Sequence, residues 1–190
     1  MRTLFLTLCC VCGFAPSLSA QFALDAKVNV GSALTGGVNV AADLPLSENI
    51  SVALGAAYAA NPFGLNISTD DGEVKFRNVR LIPEFRYYLN PRYRADRFFV
   101  GGYGKLGRLS ITEWDNQLDA SRAVLGFLFG HKWVAESGFV FELNAGFGRG
   151  FTLGDGDRER EFELAYGTLS RYDLRLGILV GYRFGERSGY

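Results

Sequence analysis

The feature that most constrains this chain is a two-residue period in hydrophobicity that recurs along most of its length. In the last instance, Leu174, Leu176, Ile178, Val180, Tyr182 and Phe184 alternate with Arg175, Gly177, Leu179, Gly181 and Arg183. Successive side chains of a strand point to opposite faces, so one face here is wholly apolar and the other mostly glycine and arginine. Phe22, Leu24, Ala26, Val28 and Val30 alternate in the same way with Ala23, Asp25, Lys27 and Asn29. So do Val52, Leu54, Ala56 and Tyr58 with Ala53, Gly55 and Ala57. Val79, Leu81, Pro83, Phe85, Tyr87 and Leu89 alternate with Asn78, Arg80, Ile82, Glu84, Arg86 and Tyr88. Ala123, Leu125, Phe127 and Phe129 oppose Val124, Gly126, Leu128 and Gly130. Phe139, Phe141, Leu143, Ala145 and Phe147 oppose Val140, Glu142, Asn144, Gly146 and Gly148. Segments 36–44 and 98–109 carry the pattern more weakly, which brings the expected number of strands to eight.

The remaining composition agrees with an all-β chain. The 190 residues include 24 Gly, 16 Phe and 9 Tyr, and aromatic residues favour strands. Lys+Arg and Asp+Glu number 20 each, so no charge imbalance points to nucleic acid. Beyond the first twenty residues no apolar run reaches the roughly 18 residues a membrane-crossing helix needs. Residues 1–20 read as an export leader, with the barrel expected over 21–190. Arg2 supplies the positive start, Leu4, Phe5, Leu6, Leu8 and Val11 the apolar stretch, and Pro16 a break. Ser17-Leu18-Ser19-Ala20 offers a small residue for cleavage before Gln21. Cys9, Cys10 and Cys12 all fall in this leader. Leu8, Cys9 and Val11 precede them, so lipidation is not expected, nor are disulfides in the mature chain.

The connections are expected at Gly31–Thr35, Pro45–Asn49, Asn61–Val74, Asn90–Arg97, Ser110–Ala120, Glu136–Gly138 and Thr152–Gly167. The even-numbered ones are short, and the odd ones after the first are long. Transmembrane barrels sort short periplasmic turns from long outer loops in this way. The fold expected is an eight-stranded antiparallel up-and-down transmembrane β-barrel with both termini in the periplasm.

The chemistry of the two faces decides their orientation. Large apolar chains would overfill a narrow barrel, whereas outside they suit lipid. The other face holds small residues and the charges Lys27, Arg80, Glu84, Arg86, Lys105, Lys132, Glu142, Arg175 and Arg183. These are expected to form a structural network in the lumen, because isolated charges there are costly. A three-residue turn over Glu136–Gly138, with Gly138 left-handed, aligns Lys132 with Glu142 inside and Trp133 with Phe141 outside. Lys105 is expected near Glu84. Tyr87, Tyr88, Phe98, Phe99, Trp133, Tyr182 and Phe184 are expected to form an aromatic girdle at the periplasmic rim.

Leu81-Ile82-Pro83-Glu84-Phe85-Arg86-Tyr87-Tyr88-Leu89-Asn90-Pro91, followed by Phe98-Phe99-Val100-Gly101-Gly102-Tyr103-Gly104, resembles small outer-membrane barrels of Gram-negative bacteria. The similarity in pattern extends over the mature chain. It is strongest to a family described only as a domain of unknown function, related in shape to OmpA-type barrels without their peptidoglycan-binding domain. The resemblance implies location in the outer membrane and handling by the outer-membrane assembly machinery. Tyr182-Arg183-Phe184 resembles the final-strand signal that this machinery reads. Gly185–Tyr190 extends beyond it, which leaves Phe184 and Tyr190 both as candidates.

Catalytic chemistry finds little footing. Gly102-Tyr103-Gly104-Lys105-Leu106-Gly107 has glycines spaced as in a dinucleotide fingerprint, but it lies within a strand rather than between strand and helix. His131, the single histidine, faces outward near the periplasmic rim by parity; Ser137 and Glu136 lie near it in sequence but on a turn at the periplasmic end, whereas lipid A chemistry belongs on the outer-leaflet side. No catalytic residue, cofactor or metal site is expected. Asp70-Asp71-Gly72-Glu73 and Asp155-Gly156-Asp157 match no complete cation loop. Arg158 and Arg160, in the most charged loop, are expected to meet lipopolysaccharide phosphates. The role expected is therefore structural or surface-interacting, with outer-membrane lipid and lipopolysaccharide as partners and no nucleic acid. A lipid-modifying enzyme of the lipid A deacylase type and a narrow pore are the alternatives. The extracellular ligand is not legible.

Overall fold

Strands joined by short turns pair antiparallel with their sequence neighbours, and this chain does so until the ends of its sheet meet. The computed structural model describes residues 23–33, 36–60, 67–69, 72–113, 116–153 and 171–185. The leader expected over residues 1–20, and Arg158 and Arg160, lie outside the described residues. The elements are β1 (Ala23–Asn29), the helical turn α1 (Val30–Ala33), β2 (Gly37–Pro45), β3 (Ile50–Ala60), β4 (Ile67–Thr69) and β5 (Gly72–Tyr88). β6 (Arg97–Glu113), β7 (Asn116–Val134), β8 (Phe139–Leu153) and β9 (Tyr172–Gly185) follow. β1 pairs with β9 and β3 pairs with β5, all antiparallel, so β1–β3 and β5–β9 close an eight-stranded barrel. The short β4 only extends the edge of β5.

One end of the barrel carries the tight turns between β2 and β3, β5 and β6, and β7 and β8, together with the start of β1 and the end of β9. The connections at the opposite, loop end include 61–71 and 154–171. The fifth connection corrects the expectation of a long loop over Ser110–Ala120. β6 runs to Glu113 and β7 restarts at Asn116, in unbroken register from Arg97↔Lys132 to Glu113↔Asn116. Backbone pairing carries the hairpin past the end of the apolar pattern, because a ladder needs no greasy face to continue. β5 likewise begins at Gly72, inside the loop expected over Asn61–Val74. Pairing of β5 with β6 lapses at Ile82 and Pro83, where proline has no N–H to give.

The Glu136–Gly138 turn has the expected geometry. The Gly138 N–H donates to the Ala135 carbonyl at 2.8 Å, and Ala135 N–H to the Phe139 carbonyl at 2.9 Å. Gly138 takes a φ of 91°, a conformation that costs glycine least.

The side chains sort as a barrel turned inside out. Phe127 is 82 % exposed, Leu174 76 %, Leu176 74 % and Leu125 68 %. Asp25, Asp43, Arg86, Lys132 and Glu142 are fully buried. Leu174, Leu176 and Ile178 thus lie outside the cylinder, with Arg175 inside it.

Candidate functional site

Parity along each strand delivers the charged side chains to one place, the lumen, where they form two layers. The layer nearer the turn end is joined to the other through Glu84. Lys27 Nζ donates to Asp43 Oδ2 at 3.0 Å and to Glu142 Oε2 at 2.6 Å. Lys132 Nζ donates to Asp25 Oδ2 at 2.8 Å and to Asp43 Oδ2 at 3.0 Å. Arg86 Nη1 reaches Asp43 at 3.2 Å and Glu142 at 2.9 Å, while its Nη2 reaches Glu84 at 2.6 Å. Arg183 Nη2 donates to Asp25 at 2.9 Å. Four cations therefore meet four carboxylates: Lys27, Arg86, Lys132 and Arg183 against Asp25, Asp43, Glu84 and Glu142. Aromatic rings complete the layer. The Arg86 guanidinium lies 4.7 Å from the Phe99 ring centre and Lys132 Nζ 4.7 Å from that of Tyr88, at cation–π range.

The β5–β6 turn stoppers this end. Ala95 is fully buried and Asp96 nearly so. Arg183 Nη1 donates to the carbonyls of Tyr93 at 2.7 Å and Arg94 at 2.9 Å. Asp96 Oδ1 accepts from the N–H groups of Arg92 and Tyr93, and Ala95 N–H donates to the Glu48 carbonyl. Asn90, Arg94, Ala95 and Arg97 all take positive φ, between 46° and 70°. Outside glycine that conformation is uncommon; the bonds just named hold the Arg94 and Ala95 backbone, and Arg97 Nη1 donates to the Asn90 carbonyl at 3.4 Å.

The second layer, toward the loop end, centres on Asp173. Tyr103 Oη donates to Asp173 Oδ2 at 2.6 Å, and Lys105 Nζ reaches both its carboxylate oxygens, at 2.9 and 2.7 Å. Arg175 Nη2 bonds Glu84 Oε1 at 2.6 Å and its guanidinium lies 5.5 Å from the Tyr103 ring centre. Arg80 stands within electrostatic range of Asp173 and Arg175. Arg122 donates to the Tyr172 carbonyl at 3.4 Å.

The residues singled out from sequence, Lys27, Arg80, Glu84, Arg86, Lys105, Lys132, Glu142 and Arg175, thus all line the lumen, but with partners that alternation did not indicate. Lys132 and Glu142 stand opposite each other in register. Even so, Lys132 turns to Asp25 and Asp43, and Glu142 to Lys27 and Arg86. Lys105 bonds Asp173 across the barrel, whereas Glu84 takes Arg86 and Arg175. The lumen is narrow enough for side chains to prefer strands they do not pair with.

Tyr88 and Phe99 also depart from expectation: both are fully buried in the lumen instead of joining the girdle. Each shares the parity of an inward neighbour, Arg86 or Tyr103. Asp25, Asp43, Asp173, Tyr103 and Asn144 belong to the network as well. Their signal was the same parity, since Asp25 sits two residues from Lys27 and Asp173 two from Arg175.

On the outside, Trp133 and Phe141 pair with ring centres 5.4 Å apart, and His131 lies 4.1 Å from Trp133. His131 is therefore on the opposite side of β7 from the lumen carboxylates. The glycines Gly102, Gly104 and Gly107 lie within β6. Among the described residues, the turn-end layer sets four cations against four carboxylates, one of which, Glu84, also pairs with Arg175, and the loop-end layer sets Lys105 and Tyr103 against Asp173.

A family profile described as "Protein of unknown function (DUF3575)" matches residues 4–163. None of the curated proteins matches the sequence. Among solved structures, the chain is similar to Ail, the attachment invasion locus protein of Yersinia pestis, in complex with the heparin analogue sucrose octasulfate. The identity is 13 % and the TM-score 0.46, over 86 % of this chain and 94 % of that one. It is also similar to Neisserial surface protein A, at 11 % identity and a TM-score of 0.44, over 87 % and 94 % of the two chains. With a profile match over most of its length, this eight-stranded barrel with a charged lumen belongs to the DUF3575 family.

Proposed function

We propose that the chain is a non-enzymatic outer-membrane barrel of a Gram-negative bacterium with a structural or surface-interaction role. In this reading residues 1–20 are an export leader, and the turn end with both termini faces the periplasm. The assembly machinery handles the chain during biogenesis, and lipid and lipopolysaccharide surround it afterwards. Arg158 and Arg160 belong to the loop assigned to lipopolysaccharide phosphates.

The observation that carries the proposal is the outward apolar belt, including Phe127, Leu125, Leu174, Leu176 and Phe147, wrapped around a charged interior. A soluble monomer rarely exposes a contiguous apolar patch beyond roughly a few hundred Å². Closure also leaves no unpaired strand edge among β1–β3 and β5–β9, the condition for strands to cross hydrocarbon.

Cell fractionation with gel electrophoresis of heated and unheated samples tests the reading. The folded chain is expected in the outer-membrane fraction, soluble only with detergent, and migrating differently before and after boiling. Recovery in buffer without detergent would end the proposal.

A further inference from the structure

We propose that a groove on the outward face of β5–β8 seats an acyl chain of lipopolysaccharide, with a phosphate of the same molecule on Arg149. The inference deepens the outer-membrane reading and rests on it. With the loop end outside, lipopolysaccharide is the lipid that meets that half of the barrel.

Two glycines make the groove. Register carries a row of outward residues across the sheet from Phe85 through Gly102 to Phe127. The next row toward the loop end has Pro83 on β5, then Gly104, Leu125 and Arg149. Gly102 and Gly104 thus form a floor between the raised side chains of Phe85 and Phe127, both exposed. The space above that floor is open. A methyl group at Gly102 would meet nothing nearer than the Gly126 carbonyl oxygen at 3.7 Å, and one at Gly104 would reach Pro83 Cγ only at 3.4 Å. The groove has a volume of about 1050 Å³. Arg149 is the exposed charged residue along it; Glu84, also in its wall, is buried and bonded to Arg86 and Arg175 in the lumen. An unfilled trough forfeits dispersion contacts that a hydrocarbon chain lying in it recovers.

Arg149 supplies the charge that selects the occupant. It is exposed on the outward face of β8, between Phe147 on the turn side and Phe151 and Leu153 on the loop side, all three exposed. Its neighbours in register are Leu125 and Tyr172, and its guanidinium lies 5.9 Å from the Phe151 ring centre. The cation is therefore set within the apolar belt, not above it. A charge facing hydrocarbon is costly and rarely stands without a partner, and a guanidinium fork matches phosphate oxygens. A lipid that carries both an apolar chain and an anion satisfies the groove and its cation together. A second copy of this chain would offer the same face with the same cation.

Native mass spectrometry of the full chain in detergent micelles, titrated with bisphosphorylated lipid A, tests the site. Dephosphorylated lipid A and phosphatidylglycerol are titrated in parallel. One lipid A retained per barrel is expected, with affinity about tenfold lower in Arg149→Gln as one charge-assisted contact is lost. Dephosphorylated lipid A should bind the wild type with the same deficit. Gly102→Leu, whose side chain occupies the groove, should also weaken retention. Should Arg149→Gln fail to fold, as judged by heat-modifiable mobility, Gly102→Leu decides, because its side chain enters open space. No retained lipid A, or equal affinity in the wild type and the folded variants, would refute the site. Equal retention of phosphatidylglycerol would refute the assignment to lipopolysaccharide, and a dimer in place of the lipid complex would give the groove to a second copy. Failure here, with the chain still recovered in the outer-membrane fraction, removes the site and leaves the location standing. Recovery in buffer without detergent removes both.

Discussion

At the scale of single residues, Arg86 is the hub of the turn-end layer. It is fully buried, bonds Glu84, Asp43 and Glu142, and lies over Phe99. Removing one partner from a buried charge cluster costs about 3–5 kcal/mol, because the remaining charges stay desolvated and unpaired. Arg86→Met should therefore lower unfolding stability in urea titrations in lipid vesicles by roughly that amount. Arg86→Lys should restore only part of the loss, since one ammonium cannot reproduce a planar fork. Sequence legibility at this scale has a physical limit. Period-two reasoning tells which way a side chain points, and it placed Lys27, Glu84, Arg86 and Lys132 on one face. It says nothing of contacts across the barrel axis, such as Lys105 with Asp173, 68 residues apart. Those depend on lumen diameter and strand tilt, which alternation does not encode.

At the scale of elements, closure depends on the seam between β1 and β9. Gly181 lies there opposite Lys27. A Cβ at Gly181 would collide with the Ala26 carbonyl oxygen and come within 2.9 Å of Lys27 Cα. Backbone cannot yield as a flexible side chain can, so the two strands would have to part. Gly181→Ala is expected to abolish or sharply reduce the heat-modifiable folded band. The control Gly102→Ala, whose added methyl meets nothing closer than 3.7 Å, should leave it unchanged. The strands were legible wherever one face was apolar, and so was the Gly138 turn. The far ends of β6 and β7 were not: Ser110–Glu113 and Asn116–Ala120 are largely polar, so their pairing leaves no periodic trace.

At the scale of the molecule, the distribution of apolar and charged residues is inverted relative to a soluble barrel, and one substitution separates the two situations. Phe127, at 82 % exposure, sits mid-strand on the outward face. In water an arginine there would be nearly neutral. At the midplane of a bilayer it costs about 2–4 kcal/mol. Phe127→Arg should therefore destabilise the barrel by roughly that amount in vesicle unfolding measurements, and a variant as stable as the wild type would count against lipid at that position. The inside–outside sense of the barrel could be argued from residue sizes and charges. The stopper formed by the β5–β6 turn could not, because nothing in residue type marks Arg94, Ala95 and Arg97 for the left-handed region they occupy. That stopper decides the topology of the interior. With Ala95 seated in the mouth, Arg183 clasping two carbonyls of the turn, and Arg86, Tyr88, Lys132 and Glu142 sealed behind it, the cylinder is shut at its turn end, and no solute passes there unless that turn lets go.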